Sequence, residues 1–355
     1  MNARIAAVLV LLLAVLGGGA LLVRQQGAAH KPPASGTLGQ PLLKGLKAAE
    51  VASIVIREPK ATLTIARKGE QWTLAERSGF PADFDKVRGF VLKALELKVG
   101  QTEPIGEKDR ARLQLDDSGT LVQFLGADGK PLASFIAGRK YFKTEPEKPA
   151  TARGDGRFIA LPGEQKSVYV VSDPLAQASA KSADWIARPG FAAEGVKSLD
   201  YRPVAGEGWK IERSGDNADW KLSPIRAGEK LEVIKANSAS YSLNNVELAD
   251  VAAKDLKPGE TGLDKPITLV ATTFDALTYT IRLGKLVGDN YHAQLAVAGE
   301  PKPQGKDAGE RLKRINERLP REKALGEHIL LIAKSKFDDI LKPRAALLER
   351  KDAKK

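Results

Sequence analysis

The chain has 355 residues, 43% of them hydrophobic and 28% charged, with no Cys and three His. That length suits two domains, each able to bury its own core. The composition excludes a wholly disordered, collagen-like, disulfide-stapled or multi-span membrane chain, and with no thiol there is no cysteine nucleophile and no thiolate metal site.

Residues 5–23 form an uninterrupted apolar run flanked by Arg4 and Arg24. As a helix it would be about 28 Å long at ~1.5 Å per residue, close to the thickness of a bilayer's hydrocarbon core. A cleaved signal peptide, ending near Gly27-Ala28-Ala29, is the competing reading, but its apolar region is ordinarily shorter. The length favours an uncleaved membrane anchor over 1–24, and the short N-terminal tail favours an N-in orientation. The chain is therefore expected in the cytoplasmic (inner) membrane as a single-pass protein with its bulk in the periplasm. Residues 25–45, with Lys31-Pro32-Pro33-Ala34-Ser35-Gly36 and no apolar period, read as a flexible tether.

An internal repeat follows. Ile65-Ala66-Arg67-Lys68-Gly69-Glu70 with Trp72 and Leu74 matches Ile211-Glu212-Arg213-Ser214-Gly215-Asp216 with Trp220 and Leu222. Ile136 of Ile136-Ala137-Gly138-Arg139-Lys140 then corresponds to Ile281 of Ile281-Arg282-Leu283-Gly284-Lys285. A third match sets Val168-Tyr169-Val170-Val171 against Ile329-Leu330-Leu331-Ile332. Ordered matches at near-constant spacing predict a duplication, with lobes over 46–190 and 191–350 and a charged tail at 351–355. Ile65, Trp72, Leu74, Ile136, Ile211, Trp220, Leu222 and Ile281 are its expected structural core.

Within the first lobe, alternation of apolar and polar residues predicts strands over 53–57, 62–67 and 71–76. Asp83 starts a helix whose stripe is Phe84, Val87, Phe90, Val91, Ala94 and Leu95. Strands are expected near 121–125, 132–137 and 166–171, and a helix carrying Trp185 near 174–187. The second lobe repeats this order and closes on an amphipathic stretch to Arg350. Hairpins dominate, so the fold class is α+β: an N-terminal transmembrane helix followed by two tandem lobes, each a mainly antiparallel sheet with helices on one face.

The lead-in Leu46-Lys47-Ala48-Ala49-Glu50-Val51, the I-x-R-x-G-E…W-x-L hairpin and Gly262-Leu263-Asp264-Lys265-Pro266 resemble the uncharacterised DUF4340 family. In the first lobe the last motif has decayed to Arg112-Leu113-Gln114-Leu115-Asp116-Asp117. The resemblance implies an envelope protein with an accessory role beside gliding-motility-type ABC transporter components, and it implies no catalytic residues.

The residues carry no local catalytic signature. His30, His292 and His328 share no metal-binding spacing, and neither a G-x-S-x-G elbow nor a phosphate-binding loop occurs. Asp116-Asp117 reads as turn chemistry and Asp338-Asp339 as the first turn of a helix. No catalytic, cofactor or metal site is therefore assigned. The net charge of +12 is spread as +4 over each of 1–45, 46–190 and 191–355, unlike the concentrated stripe that binds nucleic acid. The densest basic segment carries Arg311, Lys313, Arg314, Arg318 and Arg321, with Leu312, Ile315 and Leu319 at helical spacing. It has no counterpart in the first lobe and is the candidate interaction segment. The expected function is that of a non-enzymatic envelope protein, an accessory to an ABC-type transport system whose permease or companion subunits it contacts. The alternative is a binding module for an anionic lipid headgroup or surface polymer.

Overall fold

A computed structural model describes residues 38–164, 166–187 and 189–349. The expected anchor, the first part of the tether and the 351–355 tail lie outside the described residues. Among the described residues no helix is long and apolar enough to cross a membrane. The fold is built of antiparallel sheets with a few helices.

In chain order the first half holds β1 (Ser53–Glu58), β2 (Ala61–Lys68), β3 (Gln71–Leu74), β4 (Phe80–Pro81), α1 (Phe84–Glu96), β5 (Gln101–Pro104), α2 (Glu107–Arg112), β6 (Thr120–Leu125), β7 (Pro131–Tyr141), β8 (Gly156–Ala160) and β9 (Ser167–Val171). The second half holds β10 (Gly190–Phe191), β11 (Val196–Arg202), β12 (Trp209–Glu212), β13 (Lys221–Ser223), α3 (Val233–Tyr241), β14 (Val246–Glu247), β15 (Asp250–Val251), α4 (Pro258–Thr261), β16 (Ile267–Thr273), β17 (Thr278–Val287), β18 (Asn290–Ala298), α5 (Ala308–Ala324) and β19 (Leu330–Ala333).

The contacts divide these residues into two compact units. The smaller comprises 38–48, 93–122 and 133–176; the larger comprises 49–92, 123–132 and 177–349. In the smaller unit the ladder β7-β8-β9-β5 is antiparallel. Leu113, Leu115, Ala160 and Val168 form its buried cluster, with Ile105, Ile136 and Phe158 packed against them. The end of the stretch expected as a tether belongs to this unit. Leu42 and Leu43 are buried, and the amides of Gly39 and Leu42 donate to Val99 O and Leu97 O, both at 2.8 Å. The Gly and Pro content suggested a free linker, whereas these leucines give the segment an apolar surface to bury.

In the larger unit β4-β3-β2-β1 forms a meander. Ile54 lies across from Ile65 and Ile65 across from Leu74, so one face of the three strands is a buried apolar row. Each such side chain contributes about 1.5–3 kcal/mol by leaving water. Asp83 caps α1, accepting the amides of Asp85 and Lys86 at 3.0 and 3.3 Å. The Phe90 ring stacks on Phe124 at 5.9 Å and meets Trp185 edge-on at 5.3 Å. The larger unit also contains the whole eight-stranded sheet β13-β12-β11-β16-β17-β18-β19-β15.

The two halves share an order. β3-β2-β1 matches β13-β12-β11, and β7-β8-β9-β5 matches β17-β18-β19-β15. The repeated hairpin keeps its register: Ile65 faces Leu74, and Ile211 faces Leu222. Ile65, Leu74, Ile211, Trp220, Leu222 and Ile281 are buried, while Trp72 and Ile136 are half-buried. A short helix, α2 or α4, leads in each half to a left-handed residue, Gln114 (φ 56°) or Gly262 (φ 73°). The carbonyl before it approaches the repeated glycine so closely that a Cβ on Gly138 would lie 2.3 Å from Leu113 O, and one on Gly284 2.1 Å from Thr261 O. The glycine in both repeats is therefore a packing requirement.

Two expected helices are absent. Over 174–187 the chain makes only a 3-10 turn, Ser182–Asp184. Asp173 Oδ1 accepts the Leu175 amide at 2.7 Å, Leu175 adopts φ 49°, and the Trp185 indole N–H donates to Ser179 O at 2.8 Å. These local bonds replace a helical ladder. Leu175, Ala178, Trp185 and Ile186 are nonetheless buried, so the apolar spacing reported burial and not helix. The closing stretch makes 3-10 turns at Lys334–Phe337 and Arg344–Leu347 instead of a helix, with Pro343 between them. Asp338 and Asp339 consequently lie after a turn; Asp339 pairs with Lys342 at 2.7 Å.

Candidate interaction surface

α5, the longest helix among the described residues, lies between β18 and β19, where the first half has only residues 161–166 between β8 and β9. Glu310 in its first turn and Arg321 and Lys323 in its last complement the helix dipole. Its buried face is Ile315, Leu319 and Glu322, a spacing of four and three residues.

Polar contacts fix this face as firmly as apolar ones. Glu322, 2% exposed, accepts the Ala192 amide at 2.9 Å and the Tyr279 hydroxyl at 2.8 Å. Burial and the Glu322 charge push the Tyr279 hydroxyl well above its ordinary pKa, so it remains a donor at any ordinary pH. Arg318 sits 3.6 Å from Glu322 and 3.1 Å from Glu194. Arg311 places one Nη between both oxygens of the buried Asp275, at 2.6 and 2.7 Å.

The candidate segment therefore divides. Arg311 and Arg318 are committed to the fold. Lys313, Arg314 and Arg321 are exposed and make no ion pair among the described residues. Leu312, expected on the apolar stripe, is exposed, because the buried face is rotated toward the ion-paired residues. Residues 311, 315, 318 and 322 share a helical face, yet basic and acidic residues at those positions gave no hint of burial. The opposite charge of Glu322, four residues after Arg318, was the only signal of that pairing.

The repeat motif has a structural use. Arg213 lies over the Trp220 ring at 4.7 Å and the Phe274 ring at 5.5 Å, and its Nε donates to Val196 O at 2.9 Å. Trp220 in turn donates to Asn237 Oδ1 at 2.9 Å. In the first copy Arg67 is opposite Trp72 in register and its Nε donates to Gly69 O at 3.1 Å. This pattern links the two ends of a hairpin.

The histidines are dispersed. His292 Nδ1 lies 2.9 Å from Lys285 O; a carbonyl only accepts, so that nitrogen carries the proton. His328 precedes β19, its ring edge-on to Phe80 at 4.9 Å and its buried Nδ1 without a partner among the described residues. Desolvation lowers its pKa. Among the described residues no three His, Asp or Glu side chains are grouped to hold a metal ion. Asp116 sits in a turn as expected: Ser118 donates its hydroxyl and amide to Oδ1 at 2.5 and 3.0 Å, and these bonds lower the carboxyl pKa.

The W-x-L hairpin and the Gly262-Leu263-Asp264-Lys265-Pro266 turn thus occupy defined places in one fold, and a family model described as a domain of unknown function (DUF4340) matches residues 72–266. The chain belongs to the DUF4340 family. The matched segment of this DUF4340 protein starts at the Trp of the first hairpin and ends at the Pro leading into β16. α5 lies beyond it. No match was found among curated proteins or among solved structures.

Proposed function

We propose that the chain is a non-enzymatic, membrane-anchored envelope protein, an accessory component of an ABC-type transport system, whose duplicated lobes over 46–190 and 191–350 present α5 to a permease or a companion subunit. The observation that carries this reading is the asymmetry of the repeat. Two successions of strands match in order, and only the second has a long helix inserted before its closing strand. The buried half of that helix is consumed by Ile315, Leu319, Glu322, Arg311 and Arg318, which leaves Lys313, Arg314 and Arg321 outward. A rigid helix bearing unpaired cations suits recognition of an acidic protein surface. The apolar run at 5–23 supports placement at the membrane, single-pass and N-in, with the folded part in the periplasm.

In-cell crosslinking of the full-length protein, purification from solubilised membranes and mass spectrometry test the proposal. Recovery of a permease or companion subunit, lost on charge reversal at Lys313 and Arg314, is the expected result. Reproducible absence of any protein partner overturns it. The same unpaired cations also fit an anionic headgroup or surface polymer; that reading requires salt-sensitive binding to anionic vesicles or polymer that the same reversals abolish. Arg311 is unsuitable for either test because it holds Asp275.

A further inference from the structure

We propose that a groove on the outer face of β17 and β18, beside the end of α5, binds a small phosphate-bearing molecule. The inference is independent of the transport reading and uses other residues. The register sets Thr280 across from Ala296 and Arg282 across from Gln294, on the face opposite the buried Ile281, Leu283 and Leu295. With Lys323 and Gly326 from the end of α5 and the turn after it, these residues line a groove of about 560 Å³. That is within the range of small-molecule sites, roughly 300–1,000 Å³.

The charge balance specifies the ligand. Among the described residues no acidic side chain lines the groove. Arg282 and Lys323 are both exposed, and neither makes an ion pair among the described residues. Arg202 gives the contrast. It shares a cross-strand row with Thr268, Arg282 and Gln294, yet its guanidinium is bonded to Asp200 at 2.5 and 2.9 Å. An unpaired guanidinium presents a planar fork that fits a phosphate or carboxylate, and an ammonium beside it adds a point charge. The Thr280 hydroxyl and the Gln294 amide make no side-chain hydrogen bond among the described residues and supply donors and acceptors for a hydroxylated skeleton. Ala296, on the same face as Thr280, offers apolar contact to its carbons. The first half has no equivalent of α5, so the groove belongs to the second repeat alone.

The test is calorimetric titration of the full-length chain in detergent with glucose 6-phosphate, glucose and glycerol 1-phosphate. Binding of either phosphate, with glucose inert, is expected; stronger binding of the glycerol ester indicates a lipid headgroup and of the sugar ester a free metabolite. Arg282→Gln and Lys323→Gln should each weaken binding about tenfold or more, as loss of one charge-assisted hydrogen bond does. Lys68→Gln, at the exposed end of β2, should leave it unchanged. All three positions are exposed, and unchanged circular dichroism establishes folding. No heat with either phosphate, or binding that survives the Arg282→Gln, Lys323→Gln double substitution, overturns the proposal.

Discussion

Replacing Glu322 by Ala removes the acceptor that ties α5 to the sheet. The substitution strips the Ala192 amide and the Tyr279 hydroxyl of their partner and leaves Arg318 with Glu194 as its remaining carboxylate. Each bond to a charged group is worth about 1.5–3 kcal/mol. Removing the carboxylate also relieves its own desolvation, so the two bonds do not simply add. Breaking a buried charged pair by deleting one partner costs about 3–5 kcal/mol, which is the expected loss for Glu322→Ala. Tyr279→Phe, which deletes one bond and keeps the ring, should cost about 1–1.5 kcal/mol. Because the two groups touch, the double variant should be less destabilised than the sum by at least ~0.5 kcal/mol. Urea denaturation of the four proteins, with limited proteolysis to locate the loosened segment, measures both quantities. A Glu322→Ala cost below about 1 kcal/mol, or strict additivity with Tyr279→Phe, would refute the view that this carboxylate anchors the helix.

The remaining expectations concern the repeat and one titrating group. Arg213→Ala should lose about 2–4 kcal/mol in denaturant melts, since it removes a cation–π contact and several hydrogen bonds from a nearly buried side chain, whereas exposed Arg67→Ala should change stability by under about 0.5 kcal/mol. Gly284→Ala puts a Cβ 2.1 Å from Thr261 O and should cost about 3 kcal/mol; Gly215→Ala meets nothing within 4 Å and should be close to neutral on the same melts. Gln114→Gly should raise the melting temperature, with a net gain of up to about 1 kcal/mol, because the side chain sits at φ 56° where its half-equivalent is Gly262. For His328 the folded pKa is lowered from 6.5, so the unfolded chain binds the proton more readily. Its contribution is fully present above pH 6.5 and is lost as pH falls through the lowered folded value. His328→Phe should flatten that part of a stability-against-pH curve; an unchanged slope would show that another group sets it.

Much of the fold was legible in period. The strands at 53–58, 61–68 and 71–74 and helix α1 follow from alternation and from an Asp cap before a helical stripe. The repeat was legible because Ile65–Leu74 and Ile211–Leu222 occupy the same register. The helices expected near 174–187 and before Arg350 were not, since apolar spacing records which residues are buried, and tight turns with Asx caps can bury the same residues. In the candidate surface, α5 itself was readable and its orientation was not. A cation on a helix looks solvated until a carboxylate distant in the chain, such as Asp275 for Arg311, is brought to it. The Arg282–Lys323 groove was invisible for the same reason.

Local sequence, then, determined where the chain alternates, turns and repeats, because those depend on neighbours within a few residues. Tertiary structure decided which charges are spent inside the fold and which remain free. That depends on distant partners whose Coulomb attraction and hydrogen bonds must offset the loss of water, and only the packing of α5 beside Ala192, Glu194, Asp275 and Tyr279 brings those partners within reach.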